Sequence, residues 1–144
     1  MKNLKIISLC SLLFLVLSCS KDDDGGQDTV PPQITITEPT DHKMFEGGSL
    51  IQAQIELYDH GGLASYKVEI HAADDEHGHG VQIQQETWEY VTHGNLPLSY
   101  NHTLQLDIPI PEDVLSGEYH FVVFVLDTSG NQQVEWVEIL IENQ

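Results

Sequence analysis

Apolar and polar residues alternate along most of the chain after residue 32, the pattern of β-strands with one buried face. Segment 51–57 (IQAQIEL) shows this alternation most clearly. Segment 118–126 (EYHFVVFVL) is apolar on both faces, as expected of a strand at the centre of a sheet. Further strands are predicted at 34–36, 66–70, 81–91, 104–108 and 132–141.

Turn sequences separate these strands, and no segment has a sustained helical period. About seven short strands at this spacing predict an all-β, immunoglobulin-like β-sandwich over 33–144, with the strand order A, B, C, C′, E, F, G. In such a sandwich Tyr119 is expected either as a core residue or in a tyrosine-corner role, rather than in a catalytic one. Trp88 and Trp136 are expected to pack within the sandwich rather than to form a carbohydrate platform.

The start of the chain predicts export. Residues 1–18 combine two lysines with an apolar run at 6–17, which is shorter than the ~20 residues of a membrane-spanning helix and typical of a signal peptide. The run ends in Val-Leu-Ser-Cys, which resembles the lipobox of bacterial lipoproteins, so Cys19 is the predicted lipidation site. The alternative is an uncleaved anchor helix. Residues 19–32 are then the lipidated Cys and a flexible acidic linker.

The residues after Cys19 predict the location. Lys21 followed by three aspartates resembles the surface-export signal of Bacteroidota lipoproteins. We therefore expect attachment to the outer membrane through the lipid at Cys19, exposed at the cell surface, with the periplasmic face as the alternative. Cys10 lies inside the predicted signal peptide, so no disulfide is expected in the domain.

The charge of the chain restricts its partners. The sequence has 23 acidic residues against five lysines and no arginine, a formal net charge of −18. Phosphate backbones would be repelled, which excludes a nucleic-acid-binding function. Eight histidines accompany this acidic surplus, and histidine is the commonest metal ligand. The composition therefore favours a domain that binds cations.

A histidine-rich segment follows the predicted strand C. His77 and His79 flank a glycine, and His71 precedes His77 by six residues. In an immunoglobulin-like sheet strands C and F are antiparallel neighbours, so the end of C lies beside the start of F, at His120. Alternation places both His71 and His120 on the outward face. The predicted metal site thus comprises His71, Asp75, His77, His79 and His120.

Several alternatives remain open for this site. Asp74 could replace Asp75, and either could be a ligand or a partner of a ligand. His42 is expected at the same end, or pole, of the sandwich, although no local motif marks it as a ligand. His60, His93 and His102 are expected at the opposite pole. A simpler interpretation of this segment is a solvated histidine-rich loop that binds no metal.

Imidazole and carboxylate ligands suit zinc best, with copper(II) or nickel next. Binding by imidazole should weaken as the pH falls below about 6.5, because the ligand must be neutral. No nucleophile elbow, phosphate-binding loop, dinucleotide fingerprint or zinc-protease helix motif is present. The protein is therefore not expected to be an enzyme.

These features together resemble a known family. The lipobox, the acidic linker, the segment from His71 to His79 and the hairpin from Tyr119 to Asn131 are similar to those of small Bacteroidota lipoproteins with a DUF4625-type domain of unknown function. The resemblance implies an immunoglobulin-like fold and an envelope location. It implies no activity.

We therefore expect a lipid-anchored lipoprotein that captures a transition metal, zinc first, and transfers it to an outer-membrane transporter. The alternative is a non-metal accessory or adhesive module of an envelope complex, in which the histidines are incidental.

Overall fold

The computed structural model of the 144-residue chain describes residues 27–73 and 87–143. These residues form eight strands and no helix. The strands are β1 (Gln33–Glu38), β2 (Lys43–Glu46), β3 (Leu50–Tyr58), β4 (Leu63–Ala72), β5 (Tyr90–Asn95), β6 (Asn101–Pro109), β7 (Gly117–Asp127) and β8 (Gln132–Glu142).

The strands form two sheets, with the orders β1-β3-β6 and β2-β8-β7-β4-β5. Every pairing is antiparallel except that of β2 with β8. The predicted all-β immunoglobulin-like sandwich is therefore confirmed, with β4 as strand C and β7 as strand F. Two elements differ from the prediction. The short strand β2 was not anticipated, and the described part of C′ runs from Tyr90 to Asn95, beyond the predicted end at residue 91.

The core lies between the sheets and follows the predicted alternation. On β7 the inward side chains of Tyr119, Phe121, Val123 and Val125 are buried, and β3 contributes Ile51, Ile55 and Leu57 in the same way. Burial of alternate apolar side chains fixes the register of each strand, because a shift of one residue would turn the apolar face to water. This register sets which outward residues meet across the strands.

Tyr119 has the role predicted for it. Its ring is buried, and its hydroxyl donates a 2.9 Å hydrogen bond to the carbonyl oxygen of Leu115, four residues earlier. This is a tyrosine corner. Burial raises the pKa of the Tyr119 hydroxyl. Trp88 packs against this ring at a centroid distance of 6.0 Å, as predicted for a residue of the sandwich.

The predicted signal peptide and the lipidation site Cys19 lie outside the described residues. Within the described ranges the structure has no helix long and apolar enough to cross a bilayer.

Candidate functional site

His71 on β4 and His120 on β7 lie directly opposite each other in the antiparallel register. Their ring centroids are 5.4 Å apart and the ring planes are nearly perpendicular, at 89°. Both side chains are half-buried on the outer face, since their neighbours Ile70 and Phe121 point into the core. The predicted pairing of these two histidines is thus confirmed.

The other predicted ligands cannot be placed beside this pair. Asp75, His77 and His79, with the alternative Asp74, belong to segment 74–86, which lies outside the described residues. Among the described residues, His71 and His120 form no group of three metal-ligating side chains. The described part of the predicted site is therefore a pair of imidazoles.

Glu138 extends this pair across the sheet. It lies on β8, opposite His120, and its Oε1 is 3.2 Å from Nε2 of His42. The backbones of the two residues are also hydrogen-bonded, since the amide of His42 donates to the Glu138 carbonyl at 2.7 Å. His42 therefore lies at the His71 pole, as predicted.

Asp41 anchors the loop that carries His42. The amide of Glu138 donates to Asp41 Oδ1 at 3.0 Å, and this hydrogen bond, assisted by His42, lowers the pKa of the Asp41 carboxyl. The result is one polar row across neighbouring strands, from His71 through His120 and Glu138 to His42. We call these four residues the histidine row.

Trp136 borders the histidine row and does not pack within the sandwich. Its ring centroid lies 4.8 Å from that of His120, and the residue is 57% exposed. The prediction for Trp136 was wrong because the residue has the outward parity on β8, whereas Val137 and Ile139 point inward.

The opposite end of the strands carries a cluster of aspartates, which was not predicted from the sequence. Asp28 precedes β1, Asp59 follows β3 and Asp127 ends β7, and their ligand oxygens all lie within 4.8 Å of one another. We call these three residues the aspartate triad. Asp127 follows His120 by seven residues on β7, so at about 3.3 Å per residue the triad lies about 23 Å from His120.

Backbone amides hold the two buried members of the triad. Asp59 Oδ1 accepts hydrogen bonds from the amides of Gly61 and Gly62 at 2.8 and 2.7 Å. Asp127 Oδ1 accepts from the amides of Ser129 and Asn131, both at 2.8 Å. Burial opposes the charge of Asp127, but its hydrogen bonds with Asn131 and with the turn amides outweigh this effect and lower the pKa of its carboxyl.

The third member, Asp28, is brought in by the segment before β1. Asn131 Nδ2 donates to Asp127 Oδ2 at 2.7 Å and to the carbonyl of Asp28 at 2.9 Å. Gln27 Nε2 also donates to the carbonyl of Ser129, at 3.2 Å. These residues of the predicted linker thus lie against the β7–β8 turn. The sequence signal for the triad was an aspartate at the end of a strand with glycine three residues later, at Asp59 and again at Asp127.

Two solved structures are similar to this chain over part of their length. One is a DUF4466 family protein from Parabacteroides merdae, with a TM-score of 0.50, 15% identity, and coverage of 75% of this chain and 44% of that chain. Another is the sporulation control protein Spo0M from Bacillus subtilis, with a TM-score of 0.46, 10% identity, and coverage of 79% and 49%. The chain spans less than half the length of either structure, and the first likeness supports the fold alone.

A search of curated proteins finds no significant match. The model of one family, described as a domain of unknown function (DUF4625), matches residues 17–142. This match covers most of the chain and includes both the histidine row and the aspartate triad. The chain therefore belongs to the DUF4625 family.

Proposed function

We propose that the protein is an envelope lipoprotein, anchored through Cys19 at the outer membrane, that captures a transition metal, zinc first. The proposal includes transfer of that metal to an outer-membrane transporter, and it includes no catalytic step. The observation that carries it is the facing pair His71 and His120. Strand β4, which carries His71, ends at Ala72, just before segment 74–86 in the sequence. That segment supplies the sequence-predicted ligands Asp75, His77 and His79.

The separation of the two rings supports shared coordination of one ion. Zinc binds imidazole nitrogen at about 2.0–2.1 Å with tetrahedral angles, which places the centroids of two bound rings about 5.2 Å apart. The centroids of His71 and His120 are 5.4 Å apart. The distance between the two ring centroids therefore matches that expected for two imidazoles bound to one metal.

The surroundings of the pair also favour a cation. Glu138 lies opposite His120 and is the nearest carboxylate by register, and carboxylates commonly orient metal-bound imidazoles. The chain as a whole carries a formal net charge of −18, which attracts cations at long range. Imidazole and carboxylate together suit zinc, copper(II) or nickel rather than copper(I).

Calorimetric titration of the purified full-length chain with zinc tests the proposal. The double variant His71→Gln/His120→Gln should bind zinc at least about 100-fold more weakly, since changes even outside the ligand shell cost about 10–100-fold. The control His60→Gln/His93→Gln removes two exposed histidines elsewhere and should bind as the wild type does. Equal affinity in all three proteins would refute the proposal, provided circular dichroism shows that each is folded.

A second candidate function, docking of an envelope partner protein, is favoured by the contrast between the two outer faces. The five-stranded sheet exposes Val91, Leu126, Val134 and Trp136, and contiguous apolar patches commonly mark interaction sites. The middle of the outer face of the other sheet is polar, with Gln52, Gln54 and Glu56 opposite Asp107, Gln105 and Thr103. The exposed apolar residues of β3, Leu50 and Tyr58, lie at its two ends. A groove of about 550 Å³, lined in part by Lys67, Phe124 and Leu126, adjoins the apolar face.

Site-specific photo-crosslinking in cells tests this second candidate. A photoreactive residue at Val134 should give a discrete adduct, whereas one at Gln54 on the polar face should give none. Similar adducts from both positions would count against an apolar docking face.

A further inference from the structure

We propose that the free edge of β5 pairs with β5 of a second copy of this chain, in antiparallel orientation about a two-fold axis at His93. The strand spans Tyr90–Asn95 and, among the described strands, pairs only with β4. This surface is separate from the histidine row, and the pairing requires no metal. It also differs from the apolar docking face of the second candidate function, because it uses the edge of the sheet.

The first argument concerns backbone groups at this edge. The amide of Leu96, one residue after β5, donates to the carbonyl of Ala64 at 2.8 Å, beside the pairing of β4 with β5. Successive amides of an antiparallel strand point alternately toward the neighbouring strand and away from it. The amides and carbonyls of Val91, His93 and Asn95 therefore point to the free edge. Such a row of edge groups is a template for a further strand.

The second argument is that β5 lacks the features that protect the other sheet edges. Strand β1 has a register shift near its end, β2 has four residues including a lysine and a glutamate, and β6 contains an aspartate and ends at Pro109. Charges, prolines, irregular register and short length all hinder pairing at an edge. Strand β5 pairs with β4 without a register shift and contains no proline. Of the eight described strands, it alone contains no aspartate, glutamate or lysine.

The charge of the chain indicates which strand fits this edge. With a formal net charge of −18, two copies repel each other over most of their surface. At β5 they can pair without placing like charges opposite each other. A basic strand of another protein would be recognised by carboxylates, and β5 offers none. The edge therefore fits a strand as neutral as itself, which a second copy supplies.

The position of the axis follows from the backbone groups that point outward. Val91 and Asn95 lie two residues on either side of His93. A two-fold axis at His93 therefore pairs Val91 of one copy with Asn95 of the other, and His93 with its own counterpart. Every outward amide and carbonyl of β5 then gains a partner. Val91 is 58% exposed, so the pairing also removes apolar surface from water.

Pairing of the two edges would join the five-stranded sheets of both copies into one continuous sheet. Residues that face each other across an antiparallel ladder point to the same side, so the histidine rows of the two copies would lie on one side of that sheet. A two-fold pairing uses both β5 edges and leaves neither free. Association should therefore stop at the dimer.

Sedimentation velocity of the full-length chain in reducing buffer, between about 5 and 500 µM, tests the inference. The wild type should form a dimer with a Kd below about 200 µM, weak because the interface is small. His93→Asp places two carboxylates opposite each other across the axis and should raise the Kd at least about tenfold. The matched control Thr103→Asp adds the same charge at an exposed position of β6, an edge strand of the other sheet, and should dimerise as the wild type does.

Amide hydrogen exchange, measured by NMR at the two ends of this concentration range, locates the interface. The amides of Val91 and His93 should exchange severalfold more slowly in the concentrated sample, whereas that of Thr92, which points to β4, should not change with concentration. His93→Pro removes the central outward amide and keeps the hydrogen bonds between β4 and β5, so it should also weaken the dimer, with circular dichroism showing that it is folded.

Three results would overturn the inference. The first is a wild-type monomer at all concentrations, in which case the edge would fit a strand of a different protein. The second is equal association of the wild type and His93→Asp. The third is a dimer in which the exchange of the Val91 and His93 amides does not slow.

Discussion

The two ends of the β4–β7 strand pair present metal-ligating groups in opposite ways. At one end His71, His120 and Glu138 lie half-buried on the outer face of a sheet, in positions set by strand register, with side-chain contacts from Trp136 and His42. At the other end Asp59 and Asp127 are almost fully buried, and the amides of their own turns hold them. The first arrangement leaves side chains free to turn toward an ion, whereas the second fixes oxygen atoms in advance.

This difference has an energetic meaning. Removing an outward side chain from a sheet changes stability little, because water replaces its contacts. Removing a buried carboxylate leaves backbone donors without partners and costs the desolvation of each. The aspartate pole should therefore contribute more to the stability of the fold than the histidine pole does.

The largest expected effect is the loss of stability in Asp127→Ala. The substitution leaves the amides of Ser129 and Asn131 and the Asn131 side chain without their acceptor, so we expect a loss of about 2–4 kcal/mol. His120→Ala should lower the free energy of unfolding by less than about 1 kcal/mol, because His120 is a half-buried surface residue. Urea unfolding followed by circular dichroism, with EDTA present, measures both. Equal losses would remove the energetic distinction between the poles.

A smaller effect is expected in the acid range. Because the pKa of Asp127 is lowered in the folded protein, the folded state binds this proton less tightly than the unfolded state, where the pKa is about 3.9. The stability that results is fully present above about pH 4 and is lost as the pH falls through the lower, folded pKa.

Asp127→Asn removes this titration, so its free energy of unfolding should decrease less than that of the wild type between about pH 5 and pH 2.5. Asp113→Asn should retain the wild-type dependence. If the curves of wild type and Asp127→Asn run parallel, the hydrogen bonds of Asp127 do not favour its charged form.

The smallest expected change in stability is that of Trp136→Phe, below about 0.5 kcal/mol, since the residue is largely exposed. Its optical effect should be large, because the Trp136 ring lies 4.8 Å from that of His120. Zinc should alter tryptophan emission in the wild type and leave it nearly unchanged in Trp136→Phe, where only Trp88 remains. A zinc response that persists in the variant would place the zinc away from His120.

Much of the fold could be predicted from the sequence, because the period of two is a local property. Alternation in 51–57 and 66–70 specified which side chains face the core, and the same parity turned His71 and His120 outward. The expected adjacency of strands C and F then placed the two histidines together. The predicted strands at 104–108, 118–126 and 132–141 correspond to β6, β7 and β8.

The features that the sequence did not reveal all depend on contacts between distant segments. Strand β2 has four residues and exists by pairing in parallel with β8. Glu138 joins the histidine row only because β8 lies beside β7, and His42 only because the loop before β2 bonds to Glu138. The residues next to Glu138 and His42 in the sequence give no indication of these tertiary contacts.

The sequence by itself determined the sandwich, the outward parity of the histidines and the acidic excess, since each follows from residue type and short-range period. Only the tertiary structure determined which of the acidic side chains lie close together. Asp28, Asp59 and Asp127 come from three separate segments, and the turns that hold Asp59 and Asp127 read locally as ordinary loops. Their convergence follows from the way β1, β3 and β7 end at one pole of the sandwich, which is a property of packing and not of any one segment.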